Sequence, residues 1–400
     1  MFKKSLDKVN AKIIILYLYL RIFMYLFTPF FTAQQISRLT YIVLILLIVY
    51  SVWRSNYTFN SKFIFVFLLL TSFMVLNLLL VPYKYFVLVE MFTFWTIAFI
   101  PLFIILSKNI DYEFLLLYWF RLSKLTTIMI PVYVFLYSNS YIGYMDLGNL
   151  FHLNFIIQIY FLIIKKDINL VNIIFLVINA LLGMALGSRG LFAASIAVAL
   201  GIVLILPKNK GVKYYLLIIA LGILALIIIM NLNPILHNIY DLLTKYGIKS
   251  RNLYLFIKQL EGAELDVILT GRKKVYEIMK EYVKGRNGLP SGIGVTRYVT
   301  NNQYYYSHNV LLDFLIVLGF YGTFLFIIWY VYKNVMLFRM KNVGYSILSL
   351  YVIFSISFWV QSIAGDYFIN SKFFWIMVSI LIADKGRYSK DYVYMMKDVT

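Results

Sequence analysis

SHNVLLDFLIVLGFYG, Ser307 to Gly322, holds the transition on which the fold turns. A long polar stretch closes on a His–Asn pair, and an apolar run begins at the very next residue. Outward from this point the same pattern repeats in both directions. Apolar runs of about 17 to 25 residues recur, enough for a helix to cross a hydrocarbon core of roughly 30 Å. Of the 400 residues, 62% are hydrophobic, 19% aromatic and 14% charged, and the mean hydropathy is +0.83. Backbone groups in lipid must be satisfied within each segment, which leaves helices as the spanning structure; no alternating ten-residue barrel pattern is present. The chain reads as an all-α polytopic membrane protein.

Twelve spans are expected, over 13–32, 39–53, 62–81, 86–106, 114–137, 151–164, 170–187, 190–206, 214–231, 309–331, 344–361 and 367–383. The fifth carries Arg121 and Lys124 and reads either as one span or as an interfacial helix followed by a short span. The N-terminus, MFKKSLDKVNAK ahead of a long run, resembles a start-transfer anchor and lacks a small-residue cleavage pattern. With that end inside, nineteen Lys and Arg fall on cytoplasmic ends and loops, while Arg38, Lys84 and Arg189 are the three on short outer loops. This asymmetry predicts both termini in the cytoplasm and the 232–308 loop outside. The expected organisation is transmembrane helices over 1–231, an extracytoplasmic loop with short helices over 232–308, helices again over 309–384, and a cytoplasmic tail over 385–400.

The loop carries its own helical signals. Leu236, Ile239, Tyr240 and Leu243 recur at helical spacing, with Gly247 placed to end that helix. Val275, Ile278, Met279, Tyr282 and Val283 mark a second amphipathic helix, with Thr270 as a possible N-cap. GRNGLPSGIG and the Tyr-rich NNQYYYSHN follow. Eleven Lys and Arg against six Asp and Glu leave the loop at about +5.

The formal charge of +20 sits mainly between apolar runs, where it serves orientation and anionic headgroups. No basic stripe interleaved with aromatics marks a nucleic-acid surface. The absence of cysteine excludes disulfides, thiol catalysis and cysteine-ligated metal. No cluster of outer carboxylates suggests a magnesium or manganese site, and no cofactor is expected.

Three local motifs carry candidate chemistry. GSRG, Gly187 to Gly190, is either a small-residue turn whose Arg189 snorkels to the headgroups or a place where a guanidinium meets phosphate oxygens. TGRKK, from Thr270, either opens the amphipathic helix with a solvated basic face or sets Arg272 against an anionic group. Basic residues oppose the macrodipole at a helix start, which weakens the first reading. SGIG, from Ser291 to Gly294, is a turn or a cradle, with no Walker pattern, and His308 follows it. A proton acceptor beside fixed positive charge at a membrane surface suits chemistry on an anionic, lipid-linked substrate.

Taken together, GSRGLFAAS, TGRKKVYEIMKEYV, LPSGIGV and SHNVLLDFLIVLGFYG resemble the O-antigen polymerase and ligase family of bacterial envelope polysaccharide enzymes. The resemblance covers about 180 to 325. Where the family pattern often carries an acidic residue ahead of its LG-x-x-G unit, this chain has Val317, with Asp313 nearby. The resemblance implies a membrane glycosyltransferase of the GT-C type in the bacterial cytoplasmic membrane, with its active site facing outward. Its donor and acceptor would be polyprenyl-diphosphate-linked oligosaccharides, used without metal. A flippase and a chain-length regulator are the partner proteins it brings to mind. It carries over Arg189, Arg272 and His308 as catalytic residues: the arginines stabilise the departing diphosphate, and His308, near its ordinary pKa of about 6.5, is the general base. Arg286, Arg297, Asn309 and Tyr306 are expected to bind substrate. A polymerase extending the glycan is favoured over a ligase handing it to another acceptor. The rival from another class is a lipid-linked oligosaccharide flippase or transporter. That class shows charged or broken spans at the midplane, whereas the intramembrane charges picked out here are only Arg21, Arg121, Lys124 and Asp313.

Overall fold

The computed structural model describes residues 2–54, 58–206, 232–248, 250–262, 272–340, 344–365 and 367–383. Sixteen α-helices occur among them, and no strand does. In chain order they are α1 (Phe2–Met24), α2 (Ala33–Arg54), α3 (Ser61–Leu80), α4 (Lys84–Ser107), α5 (Tyr112–Ile128), α6 (Ile130–Ser138), α7 (Tyr144–Ile163) and α8 (Leu170–Leu186). Then come α9 (Arg189–Ile205), α10 (Leu232–Lys245), α11 (Arg251–Leu260), α12 (Arg272–Gly285), α13 (Val295–Val299), α14 (Val310–Arg339), α15 (Tyr345–Ala364) and α16 (Lys372–Ile382).

The protein is a polytopic helical membrane protein. Seven of the described helices are long and apolar enough to cross a bilayer, and the pair α5–α6, bent by 54°, makes up to eight. Three shorter apolar helices, α8, α9 and α16, lie where further spans are expected. The bend falls at Met129, just ahead of Pro131, which lacks an amide proton and sits in the first turn of α6. The fifth expected span is therefore two helices. The ninth, 214–231, lies outside the described residues.

The chain divides into two compact units, 1–18 with 39–118 and 271–400, and 19–38 with 119–270. The expected outer loop is thereby shared: α10 and α11 belong to the second unit, α12 and α13 to the first. In the first unit α4 is the central helix, packed on α3 and α16, with α15 against α16 and α12 against α14. Its core is aromatic. Phe63 and Phe103 meet edge to face at 5.3 Å, Phe94 meets Trp375 at 5.1 Å, and Phe314 packs on Phe368 at 4.6 Å.

The second unit is built on α7, with α8 and α9 packed against it. Apolar contact gives helices little reason to associate in lipid, so small residues and interhelical hydrogen bonds carry the specificity. Both are present. A Cβ on Gly148 would come within 2.7 Å of the Ser188 nitrogen, and one on Gly187 within 3.1 Å of the Gly148 Cα, so α7 meets the α8–α9 turn backbone to backbone. Asn154 Oδ1 accepts from Tyr19 and Thr126, and its amide donates to Asn179 Oδ1 at 3.2 Å. Asn179 donates in turn to Gln158 Oε1 and Thr127 Oγ1.

Two of the loop helices follow the sequence pattern. Leu236 of α10 is fully buried, and Gly247 (φ +75°) follows the end of that helix; Val275 and Met279 of α12 are fully buried. Thr270, the expected N-cap, lies outside the described residues. Helix α11 was not expected. Ser250 caps it by accepting from the Leu253 amide, and Leu253 and Ile257 pack with Leu236 and Met184.

Candidate functional site

Helix α12 sets the first part of the site. Arg272 and Tyr276 stand four residues apart, so they share a face. The Tyr276 hydroxyl donates to the His308 carbonyl oxygen at 3.1 Å, tying this helix to the segment before α14. On the other side of that segment, the Ser307 amide donates to Asp313 Oδ1 at 2.9 Å, and Asp313 is buried in the first turn of α14. Asn309 is the N-cap of α14: its side-chain oxygen accepts from both the Leu311 and Leu312 amides. Its side-chain oxygen is thus engaged in holding the helix. Between these anchors His308 takes φ +61°, a left-handed conformation that a side-chain-bearing residue adopts at a cost of about 1–3 kcal/mol.

His308 and Arg272 converge on Gly365, the residue closing α15. A Cβ there would lie 3.1 Å from His308 Nδ1 and 3.3 Å from Arg272 Cζ, so only glycine, here at φ +124°, leaves both room. Tyr306 completes the cluster. Its hydroxyl donates to the Gly365 carbonyl at 2.6 Å, its ring packs on His308 at 4.3 Å, and it stacks in parallel on the buried Tyr367 at 5.6 Å. His308 Nδ1 is buried. Burial first, and the Arg272 charge second, push the imidazole down to about 4, with the Gly365 backbone acting the other way. The expectation of an ordinary imidazole does not hold, because the ring sits in a partly dry pocket beside a guanidinium. It is neutral at physiological pH.

A buried ion pair lies in the same unit. Arg297 Nε stands 3.3 Å from Glu90 Oε1, with the two side chains 15% and 1% exposed. The Arg297 guanidinium also lies over the ring of Tyr305, 4.3 Å from its centroid. Arg297, expected at a phosphate, is therefore held by a carboxylate within α4. Glu90 is not among the charges picked out in the sequence, although a lone carboxylate in KYFVLVEMFTFW is itself a signal in a membrane helix. Arg286 is exposed after the end of α12, near the Tyr83 hydroxyl.

SGIG turns out to be a wedge. Helix α14 breaks at Gly319 (φ 70°, ψ 179°), and the broken backbone is satisfied from the preceding loop. The Ser291 and Gly292 amides donate to the carbonyls of Ile316 and Val317, and the Phe320 amide donates to Gly288. Irregular backbone at this depth is tolerated only where protein supplies its partners. Asn77 fills the space a Gly292 side chain would need and accepts from the Ile293 amide at 3.1 Å; Tyr83 donates to the Ser291 carbonyl. The glycines thus serve close packing, with α12 directly preceding the wedge in the chain.

Arg189 opens α9 in the second unit. Its amide donates to Asn252 Oδ1 at 3.2 Å and its Nη1 to Gln259 Oε1 at 3.0 Å, both on α11. Asn252 thus holds the backbone of this turn and Gln259 meets its guanidinium, both from a helix the sequence did not announce.

No curated protein and no solved structure matches the chain. One family model does, that of O-antigen ligase, over residues 174–327. This stretch runs from α8, through GSRG, α12 and the glycine wedge, to the break of α14, and includes both Arg272 and His308. Over this stretch, which is less than half of its length, the chain is similar to the O-antigen ligase family.

Proposed function

We propose that the chain is a glycosyltransferase of the bacterial cytoplasmic membrane that joins polyprenyl-diphosphate-linked oligosaccharide repeat units on its outer face. The observation that carries this reading is the convergence of a neutral imidazole and a guanidinium on Gly365. A sugar hydroxyl is a poor nucleophile and a polyprenyl diphosphate a stable anion, so the reaction needs a base on one side and positive charge on the other. In the proposed step the acceptor hydroxyl oxygen attacks the anomeric carbon of the donor. Its proton passes to His308, the anomeric carbon–oxygen bond breaks, and its electron pair leaves on the diphosphate. Arg272 stabilises that charge, and Arg189 is assigned the same task by the family resemblance. Tyr276, Asp313 and Tyr306 hold His308 in its left-handed conformation. A low imidazole pKa keeps the base unprotonated, and the arriving diphosphate, by offsetting Arg272, strengthens it when it is needed.

The ligase reading shares this donor chemistry and is equally supported by the family match. Reconstitution with purified polyprenyl-diphosphate repeat units and a second, lipid-anchored acceptor separates the possibilities. A ladder on a sizing gel marks a polymerase, single transfer to the second acceptor a ligase, and lipid movement without bond formation a transporter. His308→Ala, Arg272→Ala and Arg189→Ala are each expected to leave the protein in the membrane and stop transfer. Normal-length product from all three would sink the assignment.

A further inference from the structure

Directly beneath the GSRG turn, within the second unit, lies a cavity of about 130 Å³. Gly148, which touches the Ser188 nitrogen, forms its upper end, and Phe151, Phe155, Ala180, Phe192 and Ile196 form its walls. Ile196 is 45% exposed, so the cavity opens toward the lipid side of α9. Its few polar groups are turned on one another. His152 Nδ1 lies 2.8 Å from Ser195 Oγ, Ser195 donates to the Leu191 carbonyl, and Asn179 is engaged in the α7–α8 network. What faces the space is aromatic and aliphatic, which does not suit a sugar. Its size suits a small hydrocarbon, since a cavity of about 150 Å³ with similar walls takes up benzene. At 1.5 Å per residue, the α9 residues lining it, Leu191 to Ile196, lie about 3 to 10 Å along the axis from Arg189. One helix thus presents a cation and, just below it, an apolar slot.

We propose that this slot receives the isoprene unit next to the diphosphate of a polyprenyl carrier, with Arg189 on the phosphate side. The proposal rests on the reading of the chain as a polyprenyl-diphosphate-dependent transferase and adds the place where the carrier's hydrocarbon is recognised. Five branched carbons match the volume, and an anionic amphiphile matches the order of charge and apolar wall along α9.

The test uses the purified full chain in nanodiscs, with farnesyl diphosphate, dodecyl diphosphate and inorganic diphosphate as probes. Ala180→Phe fills the slot and Ala180→Leu fills part of it, while Ile205→Phe places the same ring elsewhere on α9. Ala180→Phe is expected to weaken farnesyl diphosphate at least tenfold and Ala180→Leu by less. Ile205→Phe should bind as the parent does, inorganic diphosphate should be unaffected throughout, and the parent should prefer the farnesyl to the dodecyl probe. Equal farnesyl diphosphate affinity in the parent and both Ala180 variants overturns the slot, as does failure of the parent to bind it. Equal affinity for the farnesyl and dodecyl probes overturns the isoprenoid assignment in favour of an ordinary acyl chain. Glycan transfer by the parent is read in parallel. Its absence with the binding pattern intact overturns the transferase reading alone, and its presence without the pattern overturns the slot alone.

Discussion

Replacing Arg272 by glutamine should raise the pKa of His308, and the size of the change follows from Gly365. One point, the Cβ position of that glycine, lies 3.1 Å from His308 Nδ1 and 3.3 Å from Arg272 Cζ, so the two are at most 6.4 Å apart. At that separation two unit charges repel by about 0.6 kcal/mol under water-like screening and about 2.6 kcal/mol at an effective dielectric of 20. At 1.36 kcal/mol per pKa unit, removing the guanidinium raises the midpoint by about 0.5 to 2, starting from about 4. Even the upper figure brings it only to about 6, below the ordinary value of about 6.5, because burial, the larger cause, is untouched. The chain has only three histidines, so ¹⁵N-histidine labelling gives three imidazole signals, and His308→Gln assigns the one in question. The His308 ring should be neutral at pH 6 in the parent and titrate near 4. In Arg272→Gln its midpoint should rise. A parent midpoint near 6.5, or one unmoved by Arg272→Gln, refutes the account of His308 as a dry imidazole beside a cation.

Gly365→Ala should cut transfer at least tenfold without lowering the amount of protein in the membrane, because the new methyl displaces the imidazole and the guanidinium together; activity per inserted protein measures it. Arg297→Met should destabilise by about 3–5 kcal/mol by leaving the Glu90 carboxylate unpaired within α4, and Glu90→Leu with Arg297→Met should recover most of that loss. Denaturation in mild detergent reads this cycle, and additive single effects would contradict it. Gly319→Ala meets Pro290 and Gly288 backbone atoms at 2.7 and 2.8 Å and should destabilise by more than the roughly 1–3 kcal/mol of its φ strain. Gly285→Ala, with open space around it, should leave stability unchanged or raise it by about 0.5–1 kcal/mol, and thermal melts compare the two.

Much of this molecule is written in one dimension. Length and apolarity alone mark a membrane helix, because lipid imposes one rule on every segment, and the expected spans outside 214–231 all fall on described apolar helices. The residue order GSRG, TGR, GxG and HN resembles the same family whose ligase model matches residues 174–327. Other features depend on contacts that no local pattern announces. SGIG reads as a turn or a cradle, and only its seat in the Gly319 break, against Asn77 more than two hundred residues earlier, makes it a wedge. Glu90 stands out in the sequence only as a lone carboxylate in an apolar helix, and its partner is Arg297, brought to it by α13. Gly365 carries no motif and Tyr306 is read only as a substrate-binding residue, yet both shape the pocket around the His308 imidazole. Composition and periodicity respond to the solvent, so the sequence by itself determined the membrane class, the apolar helices and the identity of the charged residues. Electrostatics and desolvation depend on distances between segments far apart in the chain, so only the tertiary structure decided which of those charges are paired, which backbone is broken, and that the His308 imidazole lies buried beside Arg272.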